Sequence, residues 1–141
     1  MILPDVIILV YAAMQESANH QKYHQWLEGL LQGTTPFGIA DLTLSGFLRV
    51  ATNKRIFANP LTLNEALLFA NAVRLSKNAV VIAPGPQHWD LFTQLCSATN
   101  AQGNGIPDAY FAALAIESNC EWITNDRGFS RFPGLNWRAP W

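Results

Sequence analysis

Four aspartates, Asp5, Asp41, Asp108 and Asp126, stand at equivalent junctions of this 141-residue sequence. Asp5 and Asp126 follow apolar runs that read as strands, whereas Asp41 and Asp108 open stretches that read as helices. In an open parallel sheet, strand carboxyl ends and the helix N-termini that follow them share one edge, and that edge binds ligands. Taken singly, each residue is an ordinary helix cap or turn former. Taken together they imply a cluster. Two ionised carboxylates about 4 Å apart repel by roughly 4 kcal/mol at an effective dielectric of about 20. Three or four together take up protons, move apart or hold a cation. An all-oxygen site in a cleft suits Mg²⁺ or Mn²⁺, which keep several waters and also take phosphate oxygens. Zinc is disfavoured, because His20, His24 and His88 accompany none of the aspartates. His20 and His24 share a helix face, but with no third ligand nearby they read as surface residues.

The elements that must position these carboxylates can be read from periodicity. Ile2-Leu3 reads as a short buried strand ending near Asp5, and Val6 to Ala13 starts a helical stretch. Glu16 to Leu31 reads as an amphipathic helix stopped by Gly33 and Pro36. Phe37 to Ala40 is a second strand and Asp41 to Thr52 a strong helix. On that helix Asp41, Ser45, Arg49 and Thr52 fall within about 80° of one another, a polar stripe on an apolar cylinder that is expected to face a cleft. Thr62 and Glu65 form a capping box that opens a third helix. Ala79 to Ala83 reads as strand, Pro86 begins a helix to about Ser97, and Asn100 to Ile106 is a loop. Pro107 to Ser118 is helix, with Ala112 and Ala115 letting a strand approach Asp108; Trp122 to Thr124 and Leu135 to Arg138 close the chain as strands. Alternating strands and helices predict an α/β fold with a mostly parallel sheet.

Composition narrows the function classes. The length suits one domain, residues 1–141, which at this size needs no disulfide or metal to fold. Half the residues are hydrophobic and 13% are charged, which excludes a disordered chain. Net charge is −1, so nothing global advertises a nucleic-acid binder. Cys96 and Cys120 lie far apart in apolar surroundings and read as reduced core residues. The longest apolar stretch, Val6 to Met14, lacks a basic flank and is too short to span a bilayer, so the expected compartment is the cytoplasm.

In their order and spacing, several fragments resemble a PIN domain, specifically the VapC-type ribonuclease toxins of bacterial toxin–antitoxin pairs. They are Leu3-Pro4-Asp5 with Leu9-Val10-Tyr11-Ala12, the run from Asp41 to Asn53, and His88-Trp89. Gly103 to Ala109, Thr124-Asn125-Asp126-Arg127-Gly128-Phe129 and Arg131 to Trp137 complete the set. The resemblance implies a three-layer α/β/α sandwich and Mg²⁺- or Mn²⁺-dependent endonucleolytic cleavage of RNA. It also implies a cognate VapB-type antitoxin and a second copy of the chain as partners. By position, Asp5, Asp41, Asp108 and Asp126 match the family's acidic residues, and Thr124 a hydroxyl residue that supports the site. Three positions depart from the pattern. Ile7 stands where Asn is usual, Gly128 where a further Asp often follows, and Pro4 removes a backbone donor directly before Asp5.

The chemistry so implied is hydrolysis of a phosphodiester by metal-activated water. Asp5, Asp108 and Asp126 hold the ion, and Asp41 binds it or orients the water. Ser45 has no base beside it and reads as a supporting residue rather than a nucleophile. Arg49, Lys54, Arg55 and Arg127, with Arg131, are candidate phosphate contacts. Trp89, Trp122 and Trp137 are expected in the core or a dimer interface rather than stacked on bases. Two alternatives stay open. One is a PIN-like module that binds protein or RNA without cleaving. The other is a phosphatase with an aspartyl nucleophile, which wants a second carboxylate where Ile7 stands.

Overall fold

A computed structural model describes all 141 residues. In chain order the elements are β1 (Ile2–Pro4), α1 (Val6–Ala13), α2 (His20–Gln32), β2 (Phe37–Ile39), α3 (Asp41–Ala51), α4 (Leu63–Arg74), β3 (Ala79–Val81), α5 (His88–Thr99), α6 (Gly105–Glu117), β4 (Glu121–Ile123) and β5 (Trp137–Arg138). A 3₁₀ turn, Arg127–Arg131, lies between β4 and β5.

Every strand pairing is parallel, in two hydrogen-bonded sets: β1-β4-β5 and β2-β3. The expected sheet is thus present but interrupted between β1 and β2, and Pro4 explains the interruption. Glu121 N–H donates to Met1 O and Asp5 N–H to Ile123 O, both at 2.9 Å, so odd-numbered positions of this stretch face β4. Alternation turns the nitrogen of Pro4 toward β2, where it has no hydrogen to give. The two strands nevertheless pack closely. A Cβ on Gly38 in β2 would lie 3.3 Å from Ile2 O and 3.2 Å from Leu3 Cδ1.

Strand alternation divides the interior into two cores. Ile123, Phe37 and Ile39 join Ile8, Leu9, Tyr23, Leu27, Phe47 and Val73 from α1 to α4. Leu3 and Trp122 point the other way, among Leu95, Phe111, Ala112, Ala115, Phe129 and Phe132. Helices on both faces of parallel strands make three layers. The architecture matches the α/β class expected from the strand–helix alternation and the three-layer sandwich that the family resemblance implies.

Helix boundaries differ from the periodic reading in two informative places. The second helix begins at His20 rather than Glu16, because Asn19 adopts a left-handed conformation at φ 58° and breaks the helical path. Glu16 instead accepts hydrogen bonds from the backbone N–H groups of Ala58 (2.9 Å) and Asn59 (2.7 Å), tying two loops together. The last long helix begins at Gly105, two residues before Pro107. A proline in the first turn lacks only a hydrogen that would have no helical acceptor, so it does not mark the boundary. Thr62 and Glu65 close the capping box reciprocally, each contact at 3.1 Å.

Candidate active site

Asp5 follows β1 and takes the N-cap position of α1 without a side-chain capping bond, and only 8% of it is exposed. Asp126 caps the 3₁₀ turn, its Oδ1 accepting from Gly128 N–H at 2.8 Å. Asp108 lies in the first turn of α6, half-buried. These three carboxylates, more than a hundred residues apart at the extremes, line one pocket of about 280 Å³ together with Ile7, Tyr11, Asn125 and Phe129.

Thr124 connects two of them. Fully buried at the end of β4, its hydroxyl donates to Asp5 Oδ2 at 2.6 Å and accepts from Asp126 N–H at 3.0 Å. That relay fixes the orientation of Asp5 and the turn that carries Asp126. Burial raises the Asp5 pKa from 3.8 to about 6; the Thr124 bond opposes this, and the negative charges of Asp108 and Asp126 add to it. A buried carboxyl with two like charges beside it has an unmet demand for positive charge.

The set is all oxygen, the donor chemistry of a hard divalent cation. As placed, no group of three or more His, Cys, Asp or Glu side chains closes into a metal-holding sphere. Fewer than three direct carboxylate contacts still suit an ion such as Mg²⁺, which dehydrates reluctantly and takes only one or two carboxylates directly.

Asp41 does not line this pocket, contrary to the expectation of a fourfold cluster. It begins α3 at the same end of the strands, but its carboxylate is drawn away by Arg74, which donates from Nε at 2.7 Å and from Nη2 at 3.3 Å. The Arg74 contact holds Asp41 below the usual carboxylate range. The polar stripe of α3 does not line the acidic pocket either: Asp41, Ser45, Arg49 and Thr52 are all absent from its wall. α3 buries Thr43, Leu44 and Phe47 instead, and comes so close to α1 that a Cβ on Gly46 would sit 2.8 Å from Val6 Cγ2.

The candidate phosphate contacts divide by position. Arg127 follows Asp126 directly and is exposed. Lys54 and Arg55 follow the C-terminus of α3, roughly 16 Å along the helix from Asp41 at about 1.5 Å per residue, and so lie toward the opposite edge of the sheet. Arg131 is engaged, its Nη2 donating to Asp108 Oδ2 at 2.9 Å. Trp122 is fully buried, Trp137 half-buried, and Trp89 67% exposed, so only one of the three is a core residue outright. His20 and His24 are more than surface groups, since their Nδ1 atoms lie 2.9 Å from Tyr11 O and 3.3 Å from Ala12 O and pin α2 to the end of α1. Both cysteines are free.

Sequence reasoning passed over Tyr11 and Asn125 as pocket residues. Ile7 and Tyr11 stand one helical turn apart, so the wall they form was implicit in the 3.6-residue period once Asp5 was placed at the head of α1. No local pattern announced Arg131's contact with Asp108, which spans 23 residues and two elements.

Comparison with known proteins agrees with this geometry. The PIN domain family profile matches residues 2–135. Ribonuclease VapC43 of Mycobacterium tuberculosis is 41% identical over 140 residues, covering 99% of this chain and 95% of that protein. Ribonuclease VapC25 of the same species is 36% identical over 140 residues, covering 99% of each. Among solved structures, VapBC2 from Rickettsia felis, bound to a DNA fragment from its promoter, superposes with a TM-score of 0.70 at 21% identity, covering 99% of this chain and 98% of that one. The carboxylate pocket at the strand ends, the three-layer fold and the full-length match agree: the chain belongs to the PIN domain family and, within it, groups with the VapC proteins.

Proposed function

We propose that this protein is a VapC-type toxin, an endoribonuclease that hydrolyses RNA phosphodiesters at the pocket of Asp5, Asp108 and Asp126. The observation that carries the reading is the convergence of these three carboxylates, remote in sequence, on one pocket where Asp5 is buried against like charge. Full-length similarity to proteins named as ribonucleases supports the choice of substrate class.

Asp5, Asp108 and Asp126 are the residues that would hold Mg²⁺ or Mn²⁺, which when bound supplies a water of lowered pKa and offsets charge on the phosphate oxygens. The chain's own groups do the rest. Thr124 keeps one oxygen of Asp5 fixed by hydrogen bonding, and Gly128 N–H does the same for Asp126. Arg127 contacts the flanking phosphate. In the hydrolysis, a water oxygen bonds to phosphorus as the bond to one ester oxygen breaks, and the proton the water gives up is balanced by the one that the leaving oxygen takes up. Asp41 is held by Arg74 outside the pocket and, with Ser45 exposed one turn along α3, stands apart from the reacting water.

The partners in this reading are RNA in the cytoplasm, a VapB-type antitoxin and a second copy of the chain. VapBC complexes among the fold's neighbours support the antitoxin. Exposed apolar side chains on α4 (Leu63, Leu67 and Leu68) and on β3 (Val80 and Val81) supply surface for a protein partner. No helix is long and apolar enough to cross a membrane.

The test is cleavage of single-stranded RNA by purified protein in Mn²⁺. D108N is expected to lose about a hundredfold or more in rate, a loss within the range for removing one charge-stabilising group. D41N is expected to lose under about tenfold, because its carboxylate is already committed to Arg74. A preparation inactive in every metal favours the second reading, a binding module without cleavage, for which Ile7 in the pocket wall is the supporting observation. Activity that survives in D108N traces the cleavage to a contaminant.

A further inference from the structure

Arg131 occupies an unusual place for a basic residue beside a carboxylate pocket. Its guanidinium is held at both ends, one nitrogen donating to Asp108 Oδ2 at 2.9 Å and the other to Gly128 O. It also lies over the Phe132 ring, 4.3 Å from the centroid. Position 128, whose carbonyl Arg131 holds, carries no side chain. A Cβ there would fall 2.9 Å from Arg131 Nη1 and 2.8 Å from Asp126 Oδ1. The glycine that stands where the family often carries a carboxylate thus adds neither charge nor side chain to this turn, where a Cβ would require the tips of Arg131 and Asp126 to shift.

From this we infer that Arg131 is a positioning residue with a built-in counter-charge. It orients Asp108 in the absence of a divalent ion and competes with that ion for the same carboxylate. The inference rests on the cation-site reading of the pocket given above. The contact is partly exposed, with about a third of each side chain open to water, so the ion pair is weak enough to yield to a divalent ion. An exposed pair of this kind is worth enough to weaken a competitor about two- to fivefold. The competition sets a threshold, so that the site fills only at higher metal concentration than the carboxylates alone would require.

Direct binding of Mn²⁺, followed by loss of the free-ion paramagnetic resonance signal at fixed pH, tests this without reference to cleavage. The proteins compared are wild type, R131Q, R131K and D108N, each checked for an unchanged far-ultraviolet spectrum. R131Q is expected to bind Mn²⁺ about two- to fivefold more tightly than wild type, and R131K, which keeps the charge, to stay close to wild type. A residue that only braced the turn would give the opposite sign, weaker binding on removal. If D108N loses the ion while R131Q matches wild type or binds more weakly, the inference is overturned and the cation-site reading stands. Tightening as large in R131K as in R131Q also overturns it, because charge is then not the cause. A wild type that binds no Mn²⁺ overturns the cation-site reading and this inference with it.

Discussion

Asp5 is the residue on which the pocket's electrostatics turn. Its pKa, raised to about 6 from 3.8 chiefly by burial, means that the folded protein binds a proton there which the unfolded chain has already released. The stabilisation from this group is therefore complete below about pH 4 and is lost as pH rises through about 6. At about 1.4 kcal/mol per pH unit, the loss amounts to up to about 3 kcal/mol. Asp41 and Glu65 do not confuse the window, since Arg74 and the backbone of Thr62 hold them below the usual range and they titrate at lower pH. Urea unfolding in chelator is expected to show wild type more stable at pH 5 than at pH 7.5. D5N should flatten that difference and be the more stable protein at pH 7.5. A wild type that gains stability across this interval would remove the electrostatic basis for a cation at the pocket.

Among the elements, α3 and α1 meet with little tolerance close to the site. Gly46 lets the two helices approach at Val6, the residue directly after Asp5. G46A is expected to destabilise by about 1–3 kcal/mol, the usual cost of overpacking a tight contact. V6A should relieve part of that, so the double variant loses less than the sum of the two singles in chemical denaturation. Simple additivity would show that the helices part freely there. Most elements were legible beforehand, because short apolar runs, a capping box and Gly or Pro stops act locally. The Asn19 boundary was not, since the Glu16 stretch keeps a helical composition and only the left-handed residue and the tie to Ala58 and Asn59 break it.

For the whole molecule, a net charge of −1 leaves RNA binding to a few local side chains rather than a general field. Arg127 is free near the pocket, while Arg131 and Arg74 are spent on Asp108 and Asp41, and Lys54 and Arg55 lie toward the other edge. Affinity of the wild-type protein for single-stranded RNA, measured in chelator to prevent cleavage, should therefore depend weakly on salt, with a log–log slope below about 2 in magnitude, at about 0.7 per phosphate neutralised. A steep slope would mean that a second copy or a basic surface elsewhere carries the strand.

The amino-acid order alone determined where carboxylates meet strand ends, and hence that Asp5, Asp108 and Asp126 could share an edge, because β/α alternation dictates that geometry whatever the loops do. Thr124's part in the site was implied only by the family resemblance, and its bond to Asp5 appears with the fold. What the amino-acid order could not determine is which charge answers which. Asp41 and Asp108 look alike in sequence, each in the first turn of a helix with a polar or small-residue face, yet one pairs with an arginine of α4 and the other with an arginine of the closing turn. Those choices depend on distances between side chains remote in the chain, where Coulomb attraction decides the partner, and those distances do not exist before the helices are packed.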